Sequence, residues 1–239
     1  MSLLNKKYQY LSLIRENQNG QRLYLCPNGE KLPSVTTILS KTKSIESIQA
    51  LNAWKNRVGH TKAAEITTMA AGRGTRMHKF LEDYIAQGYL NEPGTNPYSH
   101  QSHQMAKLVI EQGLSKVNEI WGSEVSLYFP GLYSGTTDAV GIHEDQPAII
   151  DFKQSNKFKK REYIEDYFLQ IASYALCHNE LYQTNIQRGV VLIAVAGNDI
   201  GPGQWASPNY QEFIIEGDEF KHYTNLWLDR VEQFYQINK

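Results

Sequence analysis

The chain has 239 residues, 41% of them hydrophobic and 21% charged, with 24 Lys+Arg against 25 Asp+Glu and a formal net charge of −1. This balance excludes a disordered or fibrous chain, and a protein that coats nucleic acid through bulk positive charge; a local basic track stays open. A chain of this length buries about 70% of its unfolded surface without a disulfide or metal staple, so any metal it binds serves chemistry.

Two cysteines, Cys26 and Cys177, are too few for a disulfide framework, a four-thiolate zinc site or an iron–sulfur cluster. No apolar run approaches a membrane span; the longest, Gly189 to Gly197, suits a buried strand. The first twenty residues mix Lys6, Lys7, Arg15 and Glu16 with polar residues, which matches neither a secretory signal nor a transit peptide. The expectation is an intracellular, cytoplasmic protein.

Alternation from Tyr8 to Ile14, Asn19-Gly20, then Arg22 to Cys26 and Asn28-Gly29 predicts a β-hairpin followed by a turn. Ser44 caps a predicted helix running to Val58, with Ile45, Ile48, Leu51 and Trp54 at helical spacing. Further helices are expected over Thr75–Ala86 and Ser102–Ile120. Val125, Leu127 and Phe129 then alternate with Glu124, Ser126 and Tyr128, and Gly135–Gly141 and Ala148–Lys153 are two more strands. A helix from Arg161 to Asn179 carries an apolar stripe of Ile164, Phe168, Ile171, Ala172, Ala175 and Leu176. The continuous apolar run from Gly189 makes a central strand covered on both faces, Tyr210–Ile215 a later strand, and Asp218–Tyr235 a closing helix. One domain is expected, with an N-terminal hairpin over 1–32, a mainly helical wall over 33–120 and a core over 121–239.

Asp138 and Asp151 stand out because strands usually exclude aspartate. Two carboxylates brought together by neighbouring strands repel unless a cation lies between them, and hard oxygen ligands suit Mg²⁺ or Mn²⁺. Lys153, two residues beyond Asp151, points to the same face of its strand, where an ammonium can orient a water or neutralise charge on phosphorus. A lone Asp-x-Lys is more often a local ion pair.

His78 and Glu82 lie four apart on one helix face above Gly74; His78 could supply a nitrogen ligand, and Arg73, Arg76 and Lys79 could contact phosphate. Gln170 and Tyr174 form a second i, i+4 pair, and Glu124 is a candidate third acid. Between Lys153 and Arg161 five of nine residues are basic, so Lys157, Lys159, Lys160 and Arg161 are candidate DNA contacts, with Phe158, Trp54 and Tyr84 able to stack on bases.

The order of these elements says more than any one of them. Gly-x-x-x-His at 74 to 78, Gly-x-x-Asp at 135 to 138, Asp-x-Lys at 151 to 153 and Gln-x-x-x-Tyr at 170 to 174 resemble the RecB-type branch of the PD-(D/E)XK nuclease superfamily. Pro33-Ser-Val-Thr-Thr-Ile-Leu39, Asp151-Phe-Lys-Gln-Ser155 and Leu169-Gln-Ile-Ala-Ser-Tyr-Ala175 make it most similar there to the mitochondrial genome maintenance exonucleases and related phage exonucleases. The likeness covers most of residues 33 to 236 and leaves the N-terminal hairpin outside its clearest part.

The resemblance implies an α/β fold, a restriction-endonuclease-like mixed central β-sheet flanked by helices, with an N-terminal helical region and hairpin. It implies Asp138 and Asp151 on Mg²⁺ or Mn²⁺, with the Phe152 carbonyl and His78 completing the shell, Lys153 acting on the attacking water, and Gln170 and Tyr174 lining the site. It implies a DNA exonuclease that prefers single strands or free ends, acting in replication, repair or recombination, with no iron–sulfur cluster. The absence of a visible targeting segment favours a bacterial or phage-infected cell over an organelle. A non-cleaving DNA-binding module and a structure-selective endonuclease are the alternatives on the same fold. Gln154 departs from the pattern, since relatives often carry Thr after the lysine.

Overall fold

The computed structural model describes residues 3–18 and 20–237. A five-stranded mixed sheet lies at its centre, formed by β4 (Val117–Phe129), β5 (Tyr133–His143), β6 (Gln146–Ser155), β7 (Arg188–Val195) and β10 (Asn209–Glu216). The spatial order is β10-β7-β6-β5-β4. β4, β5 and β6 are successive antiparallel neighbours, β6 and β7 run parallel, and β10 is antiparallel to β7. The parallel pair needs a crossover, which α5 (Glu165–Tyr182) supplies.

Alternation along each strand sorts side chains to two covered faces. Val191, Ile193 and Val195 of β7 join Val140 and Ile149 against α1 (Val35–Lys41), α5 and α6 (Gly217–Ile237). Val190, Leu192 and Ala194 join Ala139, Ile150 and Phe152 against α3 (His60–Gln87) and α4 (Pro97–Gln112). All eight residues of β7 are buried, as its unbroken apolar run predicts. The mixed sheet with helices on both faces is the α/β architecture expected from the sequence.

Several boundaries move. The helix expected from Thr75 begins at His60 and runs 28 residues, because Gly59, at φ 87, breaks the chain before it. Its first half buries only Ala63 and Arg73, so apolar spacing gives no signal there. The helix expected to reach Ile120 stops at Gln112; Gly113 has no room for a Cβ, which would lie 2.7 Å from Leu192, and β4 starts at Val117. The helix over 45–58, α2 (Ile45–Val58), is capped by Ser44 as expected, yet it buries none of its residues and exposes Ile45, Ile48 and Leu51. The strand expected from Tyr8 is confined to β1 (Ile14–Gln18), which pairs with β2 (Gln21–Leu25). Asn19, half of the expected turn, lies outside the described residues, while Gly20 adopts φ 74.

The Pro33–Leu39 motif is a strand end followed by a helix. β3 (Lys31–Pro33) adds to β2, and Ser34 caps α1 by accepting from the Thr37 N–H at 3.0 Å. A further two-stranded ribbon, β8 (Asp199–Gly201) with β9 (Gln204–Trp205), occupies the Gly/Pro-rich excursion. Among the described residues no helix is long and apolar enough to cross a membrane.

Residues 3–13 run as a strap along β4. Leu4 bridges to Ile120, and Tyr8 and Tyr10 enter an aromatic cluster with Trp121, His178 and Tyr182. His178 is fully buried there, with Nε2 3.1 Å from the Tyr10 hydroxyl and Nδ1 2.8 Å from Thr184 Oγ1. Burial drops its pKa from 6.5 to about 4. The unfolded chain therefore takes up this proton near pH 6.5 and the folded chain only near pH 4. Stability tied to His178 is complete above the unfolded value and falls by about 3 kcal/mol as pH drops from 6.5 through 4. Urea titrations across that window are expected to show the decline, and His178→Gln to flatten it; an unchanged pH slope in the variant would contradict the assignment.

Candidate active site

The site forms where the sheet divides. β5 and β6 are paired only from Ala139↔Ile150 to His143↔Gln146. Beyond that point β5 stays with β4 through Thr137↔Val125 and onward, while β6 stays with β7 from Asp151↔Val191 to Ser155↔Val195. Asp138 and Asp151 are the first residues past the split. Where the main-chain ladder stops, Asp138 Oδ2 accepts the Phe152 N–H at 2.7 Å, so a side chain replaces the missing strand partner.

Asp151 is 1% exposed. Lys153 Nζ lies 2.5 Å from its Oδ2, a direct ion pair. The ammonium also sits over the Tyr167 ring, 5.2 Å from its centroid. Burial, reinforced by the Asp138 charge, pushes the Asp151 carboxyl up to about 6 against the pull of Lys153. Burial likewise opposes ionisation of Asp138, yet the hydrogen bond and charge of His78, the Lys153 charge and the Phe152 N–H together hold it below the usual carboxylate range. For His78 and Lys153 burial disfavours the cation, and the adjacent carboxylates overcome it and raise both.

His78 Nδ1 is 3.5 Å from Asp138 Oδ1. Glu124 joins them: one ligand atom each from His78, Glu124 and Asp138 all lie within 4.8 Å of one another. Glu124 comes from an irregular stretch of β4 and takes φ 51, a left-handed conformation uncommon for glutamate. Desolvation and the Asp138 charge push it up to about 7 although its side chain is exposed at the cavity rim. Two carboxylates and one imidazole form a donor set suited to a divalent cation. Of the expected metal residues His78 and Asp138 stand together with Glu124, and Asp151 lies beside them paired with Lys153.

Helix α3 forms one wall. Gly74 brings it close to β6: a Cβ there would sit 3.3 Å from Gln154 Cγ. Arg73 is 7% exposed and its guanidinium donates to Gln154 Oε1, at 2.9 Å from Nε and 2.6 Å from Nη2, and also to Asn156 Oδ1. It thus ties α3 to the end of β6, turned away from solvent. Arg76 donates to Ser102 Oγ, and Lys79 is paired with Asp83 and Glu82; Lys79 and Glu82 line the cavity. From α5, Gln170 and Tyr174 line the same cavity, 3.5 Å apart.

The basic run after β6 lies elsewhere. Lys159 exchanges main-chain hydrogen bonds with the Gln211 side chain, Arg161 is bound to Glu219 and the Ile214 carbonyl, and Lys160 is 3.8 Å from Glu162. Lys157, Lys159, Lys160 and Arg161 do not line the cavity at Asp138, and Phe158 is exposed beside a different depression. Tyr84 packs on the α3–α4 core. The residues that sequence reasoning missed come from the N-terminal hairpin and the α1 cap: Arg15, Arg22, Tyr24, Ser34 and Thr36 line the cavity of about 590 Å³. The alternation of β1 and β2 could have placed them on one face, but not said that the face meets Asp138.

The chain is 30% identical over 217 residues to the mitochondrial genome maintenance exonuclease 1 of Xenopus tropicalis, 27% over 220 to that of Mus musculus and 25% over 219 to that of Homo sapiens. These alignments take in 85–87% of this chain. Over most of its length the chain is thus similar to these exonucleases, in line with the PD-(D/E)XK-like resemblance of its motifs. It spans 57–60% of the length of the relatives it matches. No family model matches the chain. A phage-related exonuclease from Haemophilus somnus 129PT superposes with a TM-score of 0.37 and 12% identity, over 66% of this chain and 78% of its own.

Tyr174 reaches the site because Gly135 leaves room for it. A Cβ at 135 would lie 2.8 Å from both the ring and the hydroxyl of Tyr174. Gly135→Ala is expected to cost about 1–3 kcal/mol by overpacking, read as a lower urea midpoint. A variant as stable as the parent would mean that Tyr174 is not held against β5.

Proposed function

We propose that the chain is a deoxyribonuclease that uses Mg²⁺ or Mn²⁺ to hydrolyse DNA phosphodiester bonds, acting as an exonuclease on single strands or free ends in replication, repair or recombination. The observation that carries this reading is the division of β5 from β6, beside which Asp138 and Lys153 line one cavity with His78 and Glu124, and Asp151 lies buried behind them against Lys153. The names of the curated relatives support the exonuclease class.

Asp138, with His78, Glu124 and Asp151, would hold the cation. A bound divalent ion neutralises charge on the scissile phosphate and acidifies water at neutral pH. Lys153, fixed between Asp151 and the face of Tyr167, would orient the attacking water and balance charge gathering on the phosphoryl oxygens. Gln170 and Tyr174 would fix the strand against the α5 wall, and Arg76 and Lys79 would flank its path. Arg73 and the 157–161 run are the weakest of the proposed DNA contacts, being engaged with other partners.

The test is digestion of an end-labelled linear oligonucleotide and its circular counterpart with Mg²⁺, Mn²⁺ or EDTA. Metal-dependent loss of the linear strand alone is expected, and Asp138→Asn, Asp151→Asn and Lys153→Ala should each lower the rate by at least about 10³-fold while remaining folded. A wild-type rate in any of the three would overturn the site, and cutting of the circle would overturn the exonuclease assignment.

A further inference from the structure

The hairpin that the family likeness leaves out carries two arginines to the cavity. In the register of β1 and β2, Arg15 faces Tyr24 and Asn17 faces Arg22. Cross-strand partners share a face, so Leu13, Arg15, Asn17, Arg22, Tyr24 and Cys26 look one way, and Ile14, Glu16, Leu23 and Leu25 the other. The first face is split along its length. Its base, with Leu13, Tyr24, Cys26 and Leu32, is buried as a small apolar cluster, and its tip carries Arg15 and Arg22 over the cavity that holds Asp138 and Lys153.

The base is anchored to the strand that bears Asp138. The Tyr24 hydroxyl is 3.2 Å from Thr136 Oγ1, Ser34 bridges to Ser134, and Ser134 Oγ donates to the carbonyls of Leu32 and Pro33. The hairpin is therefore held in a set position relative to the acids.

The cations around the cavity differ in their engagement. Lys153 is paired with Asp151, and Lys79 with Asp83 and Glu82. The guanidinium groups of Arg15 and Arg22 both line the cavity, and neither makes an ion pair among the described residues. On the opposite face the hairpin's own charges are satisfied, with Lys31 2.8 Å from Glu16. Arg15 and Arg22 stand on diagonal cross-strand positions, from which a bridging phosphodiester would take the fork-shaped donors of both guanidinium groups.

We propose that Arg15 and Arg22 form a clamp for the backbone phosphates of a single DNA strand crossing the cavity, gripping it beside the phosphate that lies at Asp138 and Lys153. The clamp rests on the nuclease reading for its ligand, and makes the hairpin a substrate-binding wall opposite α3. It reads no base, so its contribution is to affinity and salt dependence.

The test is fluorescence anisotropy with a dye-labelled 15-nucleotide oligothymidylate, in EDTA, between about 25 and 200 mM KCl, a range over which counterion release dominates. Arg15→Gln/Arg22→Gln is expected to weaken binding about tenfold at low salt and to reduce the slope of log affinity against log salt by about 1.4, at about 0.7 per phosphate contact on a single strand. Lys31→Gln, on the outer face, should change neither. Wild-type affinity and slope in the double variant, or no binding of the oligonucleotide by the parent, would overturn the clamp. If the glutamine variant melts early, Arg15→Lys/Arg22→Lys decides: a slope near the parent's supports the clamp, and a slope reduced as in the glutamine variant overturns it. Binding in EDTA is independent of cutting. A protein that never cleaves yet loses binding in the double variant defeats the nuclease reading alone; one that cleaves yet binds unchanged defeats the clamp alone.

Discussion

Everything at the site depends on the point where β5 and β6 stop pairing. A sheet held together by main-chain hydrogen bonds resists such a gap, because each freed N–H and C=O must find another partner or water. Here each strand keeps its other neighbour: β5 continues along β4 and β6 along β7. The N–H left over at Phe152 is taken by Asp138 itself. The carboxylate thus has a structural role before any chemistry is considered, and its position follows from the strand geometry rather than from a flexible loop. The tight contact that keeps β4 on β5 just before the split is equally constrained, since a Cβ at Gly141 would lie 2.2 Å from the Glu119 carbonyl oxygen.

Closing negative groups into this gap has an electrostatic cost that the neighbouring side chains offset. Asp151 is almost wholly buried and paired with Lys153, while Glu124 approaches Asp138 from the adjoining strand with a backbone conformation that favours glycine. Lys153 and His78 supply the positive charge inside the protein, each drawn toward its cationic form by the acids. The combination of a buried acid, two further carboxylates with shifted ionisation and local backbone strain is what distinguishes this pocket from an ordinary ion pair at a strand end.

The sheet and the main site residues were legible because they rest on short-range pattern. The apolar run of β7, the alternation in β4 and β5 and the stripe on α5 each reflect burial that the fold realises, and Asp138, Asp151 and Lys153 announce themselves as polar residues where apolar ones belong. What was not legible has a different origin. The first half of α3 buries one alanine and one arginine and so lacks apolar periodicity, and α2 has periodicity without a buried face. The hairpin's position over the cavity is set by contacts across more than a hundred residues, from Tyr24 to Thr136 and from Ser134 to Leu32, which no local pattern encodes. The place of the Lys157–Arg161 stretch is set in the same way: it follows the site in sequence but is drawn to β10 and α6 by Gln211 and Glu219.

Gln154 and Arg73 show how a departure from a family pattern and an unexpected burial explain each other. A guanidinium cannot be turned from solvent without acceptors, and the amide oxygen of Gln154 takes two of its donors while Asn156 takes a third contact. The close approach of α3 at Gly74 falls on the same glutamine, so the longer side chain is used both as a spacer and as an acceptor. One consequence is that α3 is fixed to β6 directly beside Lys153, which holds His78 over the acids. The other is a change in which cations face the cavity: Arg73 is engaged behind the wall, and the positive charge left open to a polyanion comes from the hairpin on the other side. The two walls are therefore unlike: on α3 Arg73 is held by neutral amides and Lys79 by acids, while the short sheet anchored to β5 carries two arginines without an ion pair among the described residues.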